Sequence, residues 1–182
     1  MAGPAPRFGW VLDQLALRGT ERIVEVGCGH GIAAGLVVDA LEAAPGFLDL
    51  PADQRGRYLG VDRSEKMIAA SATRNAAAVD RGTAAFVAAD VGDAPVERGS
   101  VDVVLAWRVA GLAEPAALGA VLSWLGPGGT VVLAFDDPDP ARAAATAARA
   151  RRSADAIGAT VGAARSVELP TGAVTALWLS PT

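Results

Sequence analysis

A short apolar run that ends in three alternating glycines constrains this chain more than any other feature of its sequence. The segment "IVEVGCGHGIAAGL", residues 23–36, places Gly27, Gly29 and Gly31 between a strand-like run and a helix-like run. Glycine permits a positive φ and lets the backbone approach a ligand closely. The free N–H groups at the start of the following helix favour a polar or anionic group. We therefore expect a nucleotide-like ligand at this junction.

Strand-like and helix-like runs alternate along most of the remaining chain. The apolar runs include "YLGVD", "AAFVAAD", "VDVVLAWRV" and "TVVLAFD", the last of them after a "GPGG" turn. Between the first two of these, "EKMIAASATRNAAAVDRG" is predicted to be one helix, capped by Ser64. Near-continuous apolar strands are typical of a parallel sheet that is buried on both faces.

Two strand-like runs at the end of the chain, "ARSVEL" and "AVTALWLS", are joined only by a tight turn. A parallel crossover needs a dozen or more residues, so these two strands must be antiparallel. The predicted fold is therefore α/β: a Rossmann-like three-layer sandwich whose mostly parallel, seven-stranded sheet has an antiparallel C-terminal hairpin.

Length and composition favour one domain. The chain has 182 residues, 52% of them apolar, which is enough for a single sizeable core. We divide this single domain, 1–182, into an N-terminal helix or lid (1–19), a cofactor-binding core (20–136) and a helix with the C-terminal hairpin (137–182).

Net charge and cysteine content limit the expected classes of binding partner and the expected cellular location. The net charge of −4 argues against nucleic acid as a partner. The one cysteine excludes an internal disulfide. We recognise neither a leader peptide nor a membrane span, so we expect a cytoplasmic protein without membrane attachment. The sequence does not fix the oligomeric state, and a homodimer is compatible with it.

The glycine loop alone also matches the dinucleotide pattern G-x-G-x-x-A, over residues 29–34. That site expects an acid about 20 residues after the motif. Here the acid that ends the second strand, Asp62, lies 31 positions after Gly31. Glu25 inside the first strand and Asp90 after the third indicate another nucleotide-like cofactor. A dinucleotide-binding protein remains an alternative at this point.

Five motifs in the correct order resemble those of a known family. "VEVGCGHG" resembles the first motif, acid-x-Gly-x-Gly-x-Gly, of the class I S-adenosyl-methionine-dependent methyltransferases. "YLGVDRSEKMI", "FVAADVGDAP" and "VDVVLAWRV" resemble the second, third and fourth, and "LGPGGTVVLAF" resembles the turn into strand five. The resemblance runs from about Glu21 to Asp136. It implies S-adenosyl-L-methionine as the cofactor and methyl transfer by in-line displacement.

The resemblance implies a cofactor-binding set of ten residues. The glycines would let the backbone pass under the methionine part of the cofactor, and Glu25 would orient the loop and the amino group. The set comprises Glu25, Gly27, Cys28, Gly29, Gly31, Asp62, Arg63, Asp90, Val91 and Ala106.

Four of these positions would hold the remaining parts of the cofactor. Asp62 would accept hydrogen bonds from both ribose hydroxyls, as a ligand-facing carboxylate outside the core. Asp90 would accept from the adenine amino group beside the Val91 backbone, and Ala106 would offer a carbonyl to the methionine ammonium.

Structural roles remain open for several of these residues. Glu25 would then pair with an arginine, Asp62 would cap the following helix and Asp90 would be a turn residue. For His30, the one histidine, and for the Cys28 side chain, we favour a structural or surface role.

Trp107 and Arg108 lie at the carboxyl end of the predicted fourth strand, next to the expected methyl group. In a strand they point to opposite faces, so one of them is expected to face the methyl acceptor. Arg108 could bind an acceptor carboxylate or phosphate, with Trp10 contributing to a lid. In the alternative, Trp107 packs under the next helix and Arg108 pairs with Asp136 or Asp137.

The sequence assigns no catalytic residue and no metal site. Strand four ends in "AWRV", where amino-methylating nucleic-acid enzymes carry D/N-P-P-Y/F. Asp136 and Asp137 are interpreted as an acidic loop rather than as magnesium ligands. We expect methyl transfer to a small-molecule acceptor. A protein- or RNA-directed methyltransferase and a non-catalytic cofactor-binding partner protein are the alternatives.

Overall fold

The computed structural model describes residues 5–136, 139–162, 164–170 and 172–181. The chain divides into two compact units, Met1–Asp90 and Val91–Thr182. Each unit combines strands and helices, which confirms the predicted mixed α/β fold class. No helix within the described part of the chain has the length and apolar character needed to cross a membrane.

The described residues of the first unit form three parallel strands: β1 (Arg22–Val26), β2 (Arg57–Asp62) and β3 (Ala84–Ala88). Their order in the sheet is β3-β2-β1. Val26 pairs with Val61, and Asp62 pairs with Ala88. The carboxyl ends of the three strands therefore meet at one edge, where ligands bind in open parallel sheets.

Four α-helices among the described residues accompany these strands. They are α1 (Ala5–Leu15), α2 (Ile32–Glu42), α3 (Glu65–Arg74) and α4 (Ala76–Asp80). α2 packs against both α1 and β2. Its side chains Val37 and Leu41 are fully buried, and each such burial stabilises the fold by about 1.5–3 kcal/mol.

The segment predicted as one helix after β2 is broken at Asn75. Ser64 caps its start as expected, since the Ser64 hydroxyl accepts a hydrogen bond from the Met67 N–H. Asn75 leaves the helical conformation, with φ −109° and ψ 26°, and α4 begins after it. Its buried side-chain amide donates to the carbonyl groups of Gly31 and Ser71. These tertiary hydrogen bonds accompany the break.

The second unit has five strands among its described residues. They are β4 (Val101–Trp107), β5 (Leu125–Phe135), β6 (Thr160–Val161), β7 (Arg165–Leu169) and β8 (Gly172–Ser180). β4 and β5 are parallel, whereas β5, β6 and β7 each pair with β8 in the antiparallel sense. The hairpin β7–β8 confirms the predicted C-terminal hairpin. The described α-helices of this unit are α5 (Pro115–Trp124) and α6 (Pro140–Ala156).

Two details differ from the predicted strands. The described residues form eight strands rather than seven, because the two-residue β6 is too short to give a sequence signal. β5 begins at Leu125, so the "GPGG" segment lies inside the strand instead of preceding it. The strand accommodates these residues by a register shift against β4, which pairs Val101 with Leu125 but Val103 with Thr130.

Candidate functional site

The glycine loop joins β1 to α2 at the carboxyl edge of the first unit. Gly27, Gly29 and Gly31 have φ values of 72°, 53° and 67°. This left-handed conformation favours glycine, which has no Cβ to clash with the backbone. The N–H of Gly27 donates to the Val61 carbonyl at 2.7 Å, which fixes the start of the loop to β2.

Asp62 holds the middle of this loop. Its Oδ2 accepts a hydrogen bond from the Gly29 N–H and its Oδ1 accepts one from the Ser64 N–H, both at 3.0 Å. This agrees in part with the helix-cap alternative for Asp62, because the carboxylate accepts from a backbone N–H at the start of α3. A carboxylate has about four acceptor positions. The half-buried Asp62 therefore keeps capacity for ligand hydroxyls.

Helix α3 secures the far end of the loop through residues that the sequence analysis missed. The Ser71 hydroxyl donates to the Gly29 carbonyl at 2.6 Å, and the Asn75 amide donates to the Gly31 carbonyl at 3.0 Å. The Arg74 guanidinium donates to the His30 carbonyl at 3.0 Å. Ser71 and Asn75 are four positions apart, on one face of the helical segment. That spacing of small polar residues is the signal that could have indicated them.

Gly29 and Gly31 differ in the space available beside their Cα atoms. A Cβ placed on Gly31 would lie 2.6 Å from the Asn75 amide nitrogen and 3.0 Å from Ser71. A Cβ placed on Gly29 would meet no described atom within 4 Å. Gly31 is therefore required by the fold, whereas Gly29 borders open space.

Glu25 is buried in β1, 2% exposed, with a tyrosine as its partner rather than the arginine considered as an alternative. The Tyr58 hydroxyl donates to Glu25 Oε2 at 2.5 Å. Burial raises the pKa of Glu25 to about 7; the hydrogen bond from Tyr58 opposes this rise and the charge of Asp62 adds to it. Tyr58, also missed by the sequence analysis, thus partners the buried acid beneath the glycine loop.

The side chains of Cys28 and His30 have contrasting surroundings. Cys28 is buried, and burial together with the charge of Glu25 raises the pKa of its thiol to about 12. Its sulfur packs against β2 where Gly60 leaves room, since a Cβ on Gly60 would lie 3.0 Å from it. His30 is exposed at the loop surface. Neither side chain is placed as a nucleophile or base: the thiol is protonated and inaccessible, and the imidazole faces outward.

The other predicted residues of the first unit lie near the same edge or on α1. Asp90 is exposed two positions beyond Ala88, which is the strand partner of Asp62. Arg63 is exposed directly after Asp62. Trp10 is partly buried on α1, the helix that packs against α2.

In the second unit, Val91 begins a 3-10 turn, Val91–Asp93. Ala106 and Trp107 are buried at the carboxyl end of β4. The burial of Trp107 agrees with the packing alternative for this residue.

Arg108 lies outside β4, so the opposite-face geometry expected for Trp107 and Arg108 was wrong. The strand ends at Trp107, and Arg108 has a left-handed φ of 59°. Its Nε donates to the Asp136 backbone carbonyl at 2.7 Å and forms an ion pair with Asp136 Oδ1 at 2.9 Å. The pairing with Asp136, which was the structural alternative for Arg108, is therefore present. Asp137, the other predicted partner, lies outside the described residues.

The first unit fits an adenosyl cofactor by its own geometry. Open space borders Gly29, and the adjoining Asp62 carboxylate has acceptor capacity for a vicinal diol. The exposed Asp90 carboxylate follows the neighbouring strand at the same edge. Within the described ranges, no three metal-ligating side chains are grouped together.

Comparisons with known proteins agree with this geometry. The family described as "Methyltransferase domain" matches residues 23–129, more than half of the chain. An uncharacterized 37.1 kDa protein of a Streptomyces fradiae transposon is 32% identical over 133 residues, which cover 71% of this chain and 34% of that protein. The chain thus spans about a third of the length of this curated relative.

Solved structures share the fold at low sequence identity. An S-adenosyl-methionine-dependent methyltransferase from Aquifex aeolicus matches with a TM-score of 0.74 and 14% identity, covering 94% of this chain and 88% of that one. Geranyl diphosphate C-methyltransferase from Streptomyces coelicolor matches with a TM-score of 0.71 and 13% identity, covering 96% and 78%. These neighbours confirm the Rossmann-like fold. The chain therefore belongs to the class I S-adenosyl-methionine-dependent methyltransferases, the family indicated by its ordered motifs.

Proposed function

We propose that the protein transfers a methyl group from S-adenosyl-methionine to a small-molecule acceptor. The observation that carries this proposal is the glycine loop of the first unit. It is open beside Gly29. Its Gly29 N–H donates a hydrogen bond to Asp62, and its carbonyl groups accept hydrogen bonds from Ser71 and Asn75. A loop fixed in advance can bind a ligand without losing further conformational freedom.

The residues of the first unit would divide the recognition of the cofactor among them. The backbone at Gly27, Gly29 and Gly31 would pass under the methionine part. Asp62 would accept from the ribose hydroxyls through the acceptor positions that Gly29 and Ser64 leave open. Asp90 would accept from the adenine amino group.

Two further residues of the predicted set would support this binding. Arg63 would adjoin the ribose site. Glu25 is buried, so it would act by fixing the β1–loop junction through Tyr58.

When bound, S-adenosyl-methionine supplies a methyl group already activated on a sulfonium, for transfer by in-line displacement. The protein's own task is then to align the acceptor and to exclude water. A general base is required only where the acceptor must lose a proton. Cys28 is buried and protonated at neutral pH, which disfavours a thiolate-based route.

Two observations support a small acceptor over a nucleic acid. The net charge is negative, and the arginine-rich helix α6 is partly neutralised, since Arg149 pairs with Glu114 and Arg142 pairs with Asp139. One structural neighbour, the Streptomyces coelicolor enzyme, acts on geranyl diphosphate, a small molecule.

The test uses cofactor labelled in its methyl group and three acceptor pools: a metabolite extract, total RNA and total protein. We expect label to be transferred to the metabolite pool, and Gly29→Ala to reduce the transfer at limiting cofactor concentration. Label in RNA or protein alone would assign the activity to a macromolecule-directed enzyme. Cofactor binding by calorimetry without transfer to any pool would assign a non-catalytic role. Binding of NAD instead of the cofactor would contradict the proposal itself.

A further inference from the structure

A cleft in the second unit adjoins the carboxyl ends of β4 and β5. Its volume is about 200 Å³, and the residues lining it include Arg108, Ala110, Phe135, Asp136, Arg142 and Thr146. Sites for complete drug-sized ligands usually measure about 300–1,000 Å³. The cleft is therefore suited to one polar end of a small molecule.

Among the described residues, Asp136 holds Arg108 in this cleft by two contacts. Both contacts, to the Asp136 backbone carbonyl and to Oδ1, are made by Nε. The two Nη groups are not used by these contacts, and the side chain is 53% exposed. A guanidinium held in this way keeps its outer edge available for a bidentate interaction with an oxyanion.

The backbone at Arg108 gives independent support for a role in binding. A non-glycine residue with a φ of 59° is held in a sparsely populated conformation. Such residues are found preferentially at functional sites, where the surrounding structure maintains the strain. Here Asp136 maintains it, because its backbone and side chain both hold the Arg108 guanidinium.

Arg142 brings a second guanidinium to the same cleft from the first turns of α6. Its Nε lies 3.5 Å from the exposed carboxylate of Asp139, and its side chain is 77% exposed. An exposed pair at this distance is weak and readily exchanged for another anion.

We propose that Arg108 and Arg142 bind the carboxylate or phosphate group of the methyl acceptor, with Asp136 as a positioning residue for Arg108. The proposal rests on the proposed function and makes the acceptor an anionic small molecule. Both guanidiniums line one cleft, so an oxyanion there can accept hydrogen bonds from each.

Inorganic phosphate and acetate, added at constant ionic strength, are the probes for this site. Binding is followed by the side-chain Nε–Hε signals of the nitrogen-15-labelled protein. We expect saturable binding of at least one probe, weakened roughly tenfold or more by Arg108→Gln and by Arg142→Gln. Comparing the phosphate and acetate titrations shows whether the cleft prefers a phosphate or a carboxylate group. The matched control is Arg151→Gln, which removes an exposed arginine of α6 outside the cleft and should leave the affinity within about twofold.

Arg108→Gly provides a second variant, because glycine tolerates the left-handed backbone even if glutamine there lowers stability. The proposal is overturned if neither probe binds saturably, if both cleft variants bind like wild type, or if Arg151→Gln weakens binding equally. Calorimetry with S-adenosyl-homocysteine on the same proteins tests the proposed function separately. If the wild-type protein does not bind S-adenosyl-homocysteine, the proposed cofactor site is refuted. The result of the anion titrations is independent of that outcome.

Discussion

The carboxylate of Asp62 accepts a hydrogen bond from the Gly29 N–H across 33 positions of the chain, at 3.0 Å. The same carboxylate accepts from the Ser64 N–H at the start of α3. Asp62 therefore links the glycine loop to the helix that secures its far end. This double role changes what a substitution at Asp62 is expected to do.

Asp62→Ala should lower both cofactor affinity and stability. The loss of charge-assisted bonds to the ribose should reduce binding by on the order of 2–4 kcal/mol. A carboxylate that only faced a ligand could be removed without a change in stability. Asp62 is not such a residue, because it also accepts hydrogen bonds from two backbone N–H groups. Two backbone N–H groups lose their acceptor, so we expect destabilisation of on the order of 1–3 kcal/mol. Calorimetry and urea unfolding measure the two effects, with the exposed Asp53→Ala as control. Unchanged binding would reduce Asp62 to a helix cap.

Two alanine substitutions in the glycine loop should separate binding from folding. Gly29→Ala meets no described neighbour, so it should destabilise the protein only by the left-handed strain of about 1–2 kcal/mol. It should nevertheless weaken cofactor binding at least tenfold, or about 1.4 kcal/mol, because a Cβ enters the open space.

Gly31→Ala should have the opposite profile, since its Cβ would lie 2.6 Å from the buried Asn75 amide that donates to Gly31. We expect destabilisation of about 3 kcal/mol or more, from strain and overpacking together. Thermal unfolding and calorimetry on both variants provide the comparison. Equal stability of the two variants would show that the contact with Asn75 does not constrain the loop.

Glu25 should make stability depend on pH. Its pKa is raised from 4.5 to about 7 in the folded protein, so between these values the folded state binds more protons than the unfolded state. Stability contributed by this group must then fall as pH rises from about 4.5 to 7, by up to about 3 kcal/mol. Glu25→Gln removes the titration and keeps an acceptor for the Tyr58 hydroxyl. The difference in unfolding free energy between variant and wild type should therefore grow towards high pH. A constant difference from pH 5 to pH 8 would refute the raised pKa.

Arg108→Ala should separate acceptor binding from cofactor binding. Cofactor affinity should stay within about threefold of wild type, since Arg108 belongs to the acceptor side. We expect kcat/KM to fall ten- to a hundredfold, or roughly 1.4–2.7 kcal/mol of transition-state stabilisation. A merely structural ion pair with Asp136 predicts the reverse: a lower Tm, weaker cofactor binding and little specific loss of turnover. Unchanged turnover would remove Arg108 from the acceptor side.

Local signals in the sequence were sufficient for the strand–helix alternation, the glycine loop, the Ser64 cap and the C-terminal hairpin. Each depends on residues that are close in sequence, such as apolar runs, turn glycines and caps. The partners Tyr58, Ser71 and Asn75 were missed because their hydrogen bonds join residues 33 to 44 positions apart. The helix break at Asn75 was missed for the same reason, since the Asn75 side chain bonds to Gly31, 44 positions away. The left-handed backbone of Arg108 was also missed, because arginine carries no preference for it.

The reactivity of the Cys28 thiol can report on opening of the glycine loop. The one thiol of the chain is buried against the gap that Gly60 leaves in β2, and its pKa is raised to about 12. Alkylating reagents react with exposed thiolates, so they modify this residue only during excursions that lift the loop away from β2. The labelling rate then equals the population of the opened loop multiplied by the intrinsic reactivity of a free thiol. A ligand that closes over the loop slows this reaction in proportion to its occupancy. Cofactor binding can thus be followed on the native chain, without an introduced probe and without knowledge of the acceptor.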